Sequence, residues 1–162
     1  MNSLVLALAL SLAAPAAMAL APAQSGLQSD DFSGADETTQ TAMALVDAFH
    51  VALGRGDTEA ALDLLAPDVV IFEDGAAERS RENYASHHLP ADIAFAAMTN
   101  TEVNRRAAWV EGETAWVLTE GRLTGESDGR PIDRLTAETM VLQHRNGIWL
   151  IRHIHWSSRA PE

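Results

Sequence analysis

His153 and His155 lie two residues apart in a β-rich stretch near the end of the sequence, Trp149-Leu150-Ile151-Arg152-His153-Ile154-His155-Trp156, just after an Asn146-Gly147 turn. Alternate side chains of a strand share a face. An unbroken strand therefore puts Trp149, Ile151, His153 and His155 on one face and Leu150, Arg152, Ile154 and Trp156 on the other. Both imidazoles then aim the same way, at a spacing suited to one ion. A second polar group comes earlier in the chain. Tyr84, the only tyrosine, forms an i, i+4, i+8 row with His88 and Asp92, and His87 lies beside it. A neutral imidazole moves protons near neutral pH, and a phenol and a carboxylate within reach could orient it and polarise a carbonyl or hydroxyl. That is the chemistry of isomerisation and dehydration, and it needs no cofactor. The competing reading gathers His88, His153, His155 and His87, with Glu73, into a mixed nitrogen and oxygen site for zinc or copper.

Each group also has a structural explanation. The histidines can be hydrogen-bonded wall residues, Tyr84 a core residue and Asp92 a solvated one. Glu120 with Arg122, and Arg134 with Glu138, share strand faces and suggest a charge ladder between neighbouring strands. Trp109, Trp116, Trp149 and Trp156 suit a core or a subunit surface. A phosphate loop, a nucleophile elbow and a Rossmann fingerprint are all missing from the sequence.

The elements that must position these residues follow from periodicity. From Glu37, the residues Ala42, Leu45, Val46, Phe49, Ala52 and Leu53 recur at helical spacing, and Gly54 stands where a glycine cap belongs. Asp57 offers an N-cap for a short second helix, which Pro67 ends. Val69 to Glu73 is a strand closed by Asp74-Gly75, a hairpin turn that pairs it with Ala76 to Glu78. Ser80 caps a helix whose stripe runs through Tyr84, His88, Ala91, Phe95 and Met98, with a kink or break at Pro90. Four runs, Thr101 to Val110, Glu113 to Thr124, Ile132 to His144 and Ile148 to Ser157, then make an antiparallel meander.

Outside that region the sequence opens with an apolar run from Leu4 to Ala14 followed by Ala17-Met18-Ala19, the pattern of a cleaved secretory signal, with a second site at Ala21-Pro22-Ala23. Residues 1–23 are therefore expected to be removed from a periplasmic or secreted protein, and residues 24–36 to be a flexible tether. The run falls short of the roughly 20 apolar residues of a membrane span. Net charge is −12, and every basic residue is Arg. A chain so acidic is poorly suited to nucleic acid or anionic membrane surfaces. It has no cysteine, and residues 37–159 suffice for one domain with its own core.

Helices first and a curved antiparallel sheet last make an α+β order. That order, with Phe49, Leu53-Gly54-Arg55-Gly56-Asp57, Ala66-Pro67-Asp68-Val69-Val70 and Gly147-Ile148-Trp149-Leu150-Ile151, resembles the nuclear transport factor 2-like superfamily, most nearly its SnoaL-like branch. The resemblance implies a cone: the sheet wraps the helices, leaves a pocket for a small organic ligand, and often pairs with a second copy through its outer face. On that basis Tyr84, His88 and Asp92 are the candidate catalytic residues, and His153, His155, Glu73, Phe95 and Trp149 the candidate pocket lining, in a homodimer. The superfamily includes isomerases, dehydratases, cyclases and binding domains, so membership leaves enzyme status open.

Overall fold

The computed structural model describes residues 36–162. The expected signal and tether segments lie outside the described residues, apart from Asp36, which caps the first helix. That helix, α1 (Glu37–Arg55), begins where the Asp36 carboxylate accepts from Thr39 N at 2.7 Å, satisfying one of its free donors. Ala42, Val46, Phe49, Ala52 and Leu53 give it one buried stripe. It ends at Gly56, not Gly54. Gly56 adopts φ 70°, and Asp57 N bonds Ala52 O while Gly56 N bonds Leu53 O, a Schellman closure. With two glycines two residues apart, spacing alone cannot say which one takes the left-handed position.

Asp57 caps α2 (Thr58–Asp63) as expected, but that helix stops before Leu64 rather than running to Pro67. The chain enters β1 (Leu65–Glu73) at once, and Pro67 sits in its irregular part, where a missing N–H is tolerated. The Asp74-Gly75 turn, with φ 47° and 84°, joins β1 to β2 (Ala76–Glu78). Ser80 caps α3 (Arg81–His87), its hydroxyl accepting from Asn83 N at 3.1 Å. The break expected near Pro90 is real: α4 (Leu89–Met98) starts afresh, with Pro90 in its first turn.

The remaining strands are β3 (Thr99–Glu111), β4 (Thr114–Ser127), β5 (Arg130–Arg145) and β6 (Ile148–Arg159), paired antiparallel in sequence. They join β1 and β2 in one curved sheet of order β2-β1-β6-β5-β4-β3, and β1 runs parallel to β6. The helices cover its inner face. Phe49 and Val46 from α1, Tyr84 from α3 and Leu89 from α4 meet Leu65, Val69, Ile71, Val117, Met140, Leu142, Ile151 and Ile154 in one core. Each fully buried large side chain stabilises the fold by about 1.5–3 kcal/mol.

The terminal strand departs from simple alternation. Leu142 pairs with Ile151 and Val141 with His153, so Arg152 is an extra residue, a β-bulge, and its guanidinium turns to the Asp68 carboxylate of β1. The bulge reverses the parity beyond it. Trp149 and Ile151 face the core as one set, but Ile154 and Trp156 face it next, and His153 and His155 point to the outer side. The single face expected for Trp149, Ile151, His153 and His155 is thus split between the two sides of the sheet.

Candidate functional site

Two rows of paired residues run across the sheet, one on each side. On the outer side, Trp109, Trp116, Val141, His153 and Val70 lie opposite one another from β3 to β1. Trp109 and Trp116 stack with centroids 5.6 Å apart, and half-exposed Phe72 meets the His153 and His155 rings edge-on at 5.3 and 6.3 Å. His153 Nδ1 lies 2.8 Å from Val70 O. On the inner side the row is polar: Arg106, Thr119, Glu138, Trp156 and Glu73 are opposed in turn.

The Glu73 end of this inner row is where the candidates from α3 and α4 arrive. Although the helix breaks at His88, the Tyr84 hydroxyl still donates to Asp92 Oδ2 at 2.8 Å, across the corner between α3 and α4. Tyr84 is fully buried. Burial, then the negative charge and hydrogen bond of Asp92, push its hydroxyl far above the usual tyrosine range, so it stays protonated. Burial also pushes the Asp92 carboxyl up, against the opposing pull of Tyr84 and His88. Glu73 is raised by burial and then by the charges of Asp92 and Asp74, with His88 pulling it down.

His88 faces the same corner, its Nδ1 2.6 Å from Glu78 Oε1, while the more exposed His87 lies 3.4 Å from the other carboxylate oxygen. Burial alone would raise Glu78, but the two histidines outweigh it and hold its carboxyl below the usual range. Ile71, Glu73, Ala76, Ala77, Glu78, Tyr84 and His88 enclose a cavity of about 10 Å³, room for one water. A buried phenol on a carboxylate, with a second protonatable carboxyl and a fixed imidazole alongside, can give a proton to a ligand or take one from it.

The structure therefore brings Tyr84, Asp92, Glu73 and His88 to one corner. It does not bring His153 and His155 there, because the bulge sends them to the other side of the sheet. Phe95 is 41% exposed on α4 and lies outside the cavity wall. Trp149 packs against the core and His144, also away from the cavity. The zinc or copper set of His88, His153, His155 and His87 is not assembled, and among the described residues no three His, Asp or Glu side chains are placed to hold a metal ion.

The other end of the inner row holds residues whose role was not visible in the sequence. Glu138, expected in a charge ladder with Arg134, instead faces inward and is 9% exposed. Its Oε2 accepts from the Trp156 indole and contacts His50 Nε2 of α1, both at 2.7 Å. Arg122 and Glu120 make separate pairs, with Asp133 and Arg105. Burial would raise Glu138, but the hydrogen bond and charge of His50, the indole N–H and Arg106 hold it below the usual carboxylate range. One clue was available: Glu138 has the parity of Met140 and Leu142, the buried face of β5.

A helical layer in the grip of a curved sheet, with a polar corner at the inner face, defines a nuclear transport factor 2-like domain. Residues 42–161 match the family profile described as "SnoaL-like domain", and the chain belongs to that family. Among solved structures it is similar to a protein of Shewanella frigidimarina provisionally described as a ketosteroid isomerase, at 35% identity and TM-score 0.68 over 70% of this chain and 92% of that one. A nuclear transport factor 2-like superfamily protein of Salmonella enterica serovar Typhimurium aligns at 17% identity and TM-score 0.65, over 76% of this chain and 92% of that one. The association domain of calcium/calmodulin-dependent protein kinase II from C. elegans aligns at 17% identity and TM-score 0.62, over 74% and 95%. Among curated proteins none matches the sequence.

Proposed function

We propose that the domain binds a small organic ligand at the corner of Tyr84, Asp92, Glu73 and His88 and moves a proton on it, as an isomerase or dehydratase does. The observation that carries this reading is the 2.8 Å hydrogen bond from the buried Tyr84 hydroxyl to Asp92. Burial pushes the Asp92 carboxyl, and that of Glu73 beside it, above the usual carboxylate range, the direction in which acid–base groups are shifted. The 35% identity to the Shewanella protein, whose description names an isomerase, points the same way. In this mechanism Asp92 takes a proton from a carbon next to a ligand carbonyl and returns it at another position. Tyr84 orients Asp92, and Glu73 in its protonated form donates to the carbonyl oxygen as charge develops there. A ligand of more than a few atoms must part the β1–β2 hairpin from α3 and α4, since the cavity admits about one water.

On this reading the chain works in the periplasm or outside the cell after residues 1–23 are removed, and as a homodimer joined through the outer row. The support for pairing is the contiguous surface of Trp109, Trp116, Phe72, His153 and His155, with Trp109 41% and Phe72 40% exposed. No helix among the described residues is long and apolar enough to cross a membrane. The experiment is a turnover assay on β,γ-unsaturated ketones, a ketosteroid among them, for the wild type, Asp92→Asn and Tyr84→Phe. Conversion by the wild type that both variants lose supports the reading, and a wild type indistinguishable from buffer overturns it.

A further inference from the structure

The bulge that turns His153 and His155 away from the Tyr84 corner sets them in two neighbouring rows of the outer sheet face. His153 stands in the row that runs from Trp109 to Val70, and His155 in the next, between Thr139 and Phe72, with Leu118 and Ala107 beyond Thr139. In a chain of 23 acidic and 11 basic residues, neither row holds a carboxylate or an arginine, so the two imidazoles are their only titratable groups. Charge returns at the rims, where much of it is already paired. Glu111 and the Arg152–Asp68 pair lie on one side, and Asp74 with Arg105, 3.9 Å from Glu120, on the other; Arg79, past β2, bonds back to Ala77 O at 3.4 Å. The Val70 carbonyl only accepts, so His153 Nδ1, 2.8 Å away, carries the proton of the neutral ring, and a second proton goes to Nε2. His155 is exposed, and half-exposed Phe72 lies against both imidazoles. Alternate residues of a strand are about 7 Å apart on one face, so charges gained by both rings would sit side by side with no carboxylate opposite.

We propose that His153 and His155 make the pairing of two copies through this face depend on pH, keeping the homodimer together while both imidazoles are neutral and parting it when they take up protons. It rests on the pairing proposed above and not on the chemistry of the Tyr84 corner. A second copy is the occupant that the charges favour. Each chain carries −12, so two copies repel, and contact costs least where the surface is free of charge, as the centre of this face is. A strongly acidic or basic partner would find no counter-charge at that centre. Pairing takes the imidazoles out of water, which costs little for the neutral rings and much for the charged ones. A two-fold contact sets the same patch of both copies in one interface, so all the imidazoles act in the same direction. Histidine is the side chain whose charge changes between about pH 5 and 8. The sign is diagnostic: acid removes negative charge from the rest of the chain, which by itself would draw two copies together.

Sedimentation equilibrium near pH 7.5 and near pH 5.5 tests this, with circular dichroism at both values to show that the fold is kept. The dimer dissociation constant of the wild type should rise about tenfold or more between the two. His153→Gln combined with His155→Gln keeps an N–H for Val70 O and polar side chains that take up no proton, and it should lose that rise. His155→Lys, at an exposed position, carries its charge at both values and should be monomeric at both. The proposal is overturned by a wild-type dimer equally tight or tighter near pH 5.5, an outcome that leaves the homodimer itself standing. The same rise in the double Gln variant, or a His155→Lys protein that stays dimeric near pH 7.5, also overturns it. A wild type that is monomeric near pH 7.5 sinks the homodimer and this proposal with it.

Discussion

Glu73 and Glu138 lie in one cross-strand row of the inner sheet face with only Trp156 between them, so their backbones are about 10 Å apart at ordinary strand spacing. Their surroundings push them in opposite directions. Glu73 has Asp92 and Asp74 for neighbours and is driven toward its neutral form, whereas Glu138 has His50, Trp156 and Arg106 and is held ionised. One strand separates an acid-like carboxyl from a base-like one, an arrangement that divides roles between carboxylates.

Glu73 and Asp92 should make stability fall as pH rises. Both are raised above their ordinary values of 4.5 and 3.8, so the folded chain holds protons that the unfolded chain has released. Their destabilising effect is absent below those values and complete once pH has passed the raised ones. Asp92→Asn keeps an acceptor for Tyr84 and should raise Tm near pH 8 by about 3 °C while leaving it unchanged near pH 3. Thermal melts across this range check it, and an equal shift at both ends would contradict it.

The lowered Glu138 carboxyl has the opposite sign. Its contribution is present above the ordinary value of 4.5 and is lost as pH falls through the lowered one. Trp156→Phe keeps the ring against Phe49 but removes the indole donor, and should cost about 1.5–3 kcal/mol in urea unfolding at neutral pH. The loss should shrink in acid, where Glu138 is protonated in both proteins.

At the junction of α4 and β3, a Cβ on Gly125 would lie 2.3 Å from Met98 O and 3.0 Å from Thr99 Cα, both backbone atoms that cannot swing aside. Gly125→Ala should therefore destabilise the fold by about 1–3 kcal/mol, measured by denaturant unfolding. Gly54→Ala meets nothing within 4 Å and lies in a helix, so it should stabilise slightly.

The outer row predicts assembly. Trp109→Glu should turn the proposed homodimer into a monomer in sedimentation velocity, with the helical content of circular dichroism intact. His153→Ala combined with His155→Ala should leave turnover at the Tyr84 corner unchanged, because both rings lie on the far side of the sheet.

The order of elements was legible because it rests on local signals: Asp57 and Ser80 as caps, Asp74-Gly75 as a turn, and the alternation of long strands. The pairing of Tyr84 with Asp92 was legible too, since their spacing puts them on one helical side and the break at His88 leaves them in reach. Two features were not. The bulge at Arg152, whose guanidinium meets Asp68 from 84 residues away, reverses the faces of His153 and His155. The contact between His50 and Glu138 spans 88 residues and depends on how α1 lies across the sheet, which no local pattern encodes.

Proton transfer at the Tyr84 corner is read from the initial rate at which a β,γ-unsaturated ketone becomes its conjugated isomer, followed by the absorbance of the product. Conversion by the wild type is expected, with a loss of about 100-fold or more in Asp92→Asn. An Asp92→Asn protein that keeps the wild-type rate, or a wild type no faster than buffer, would contradict it.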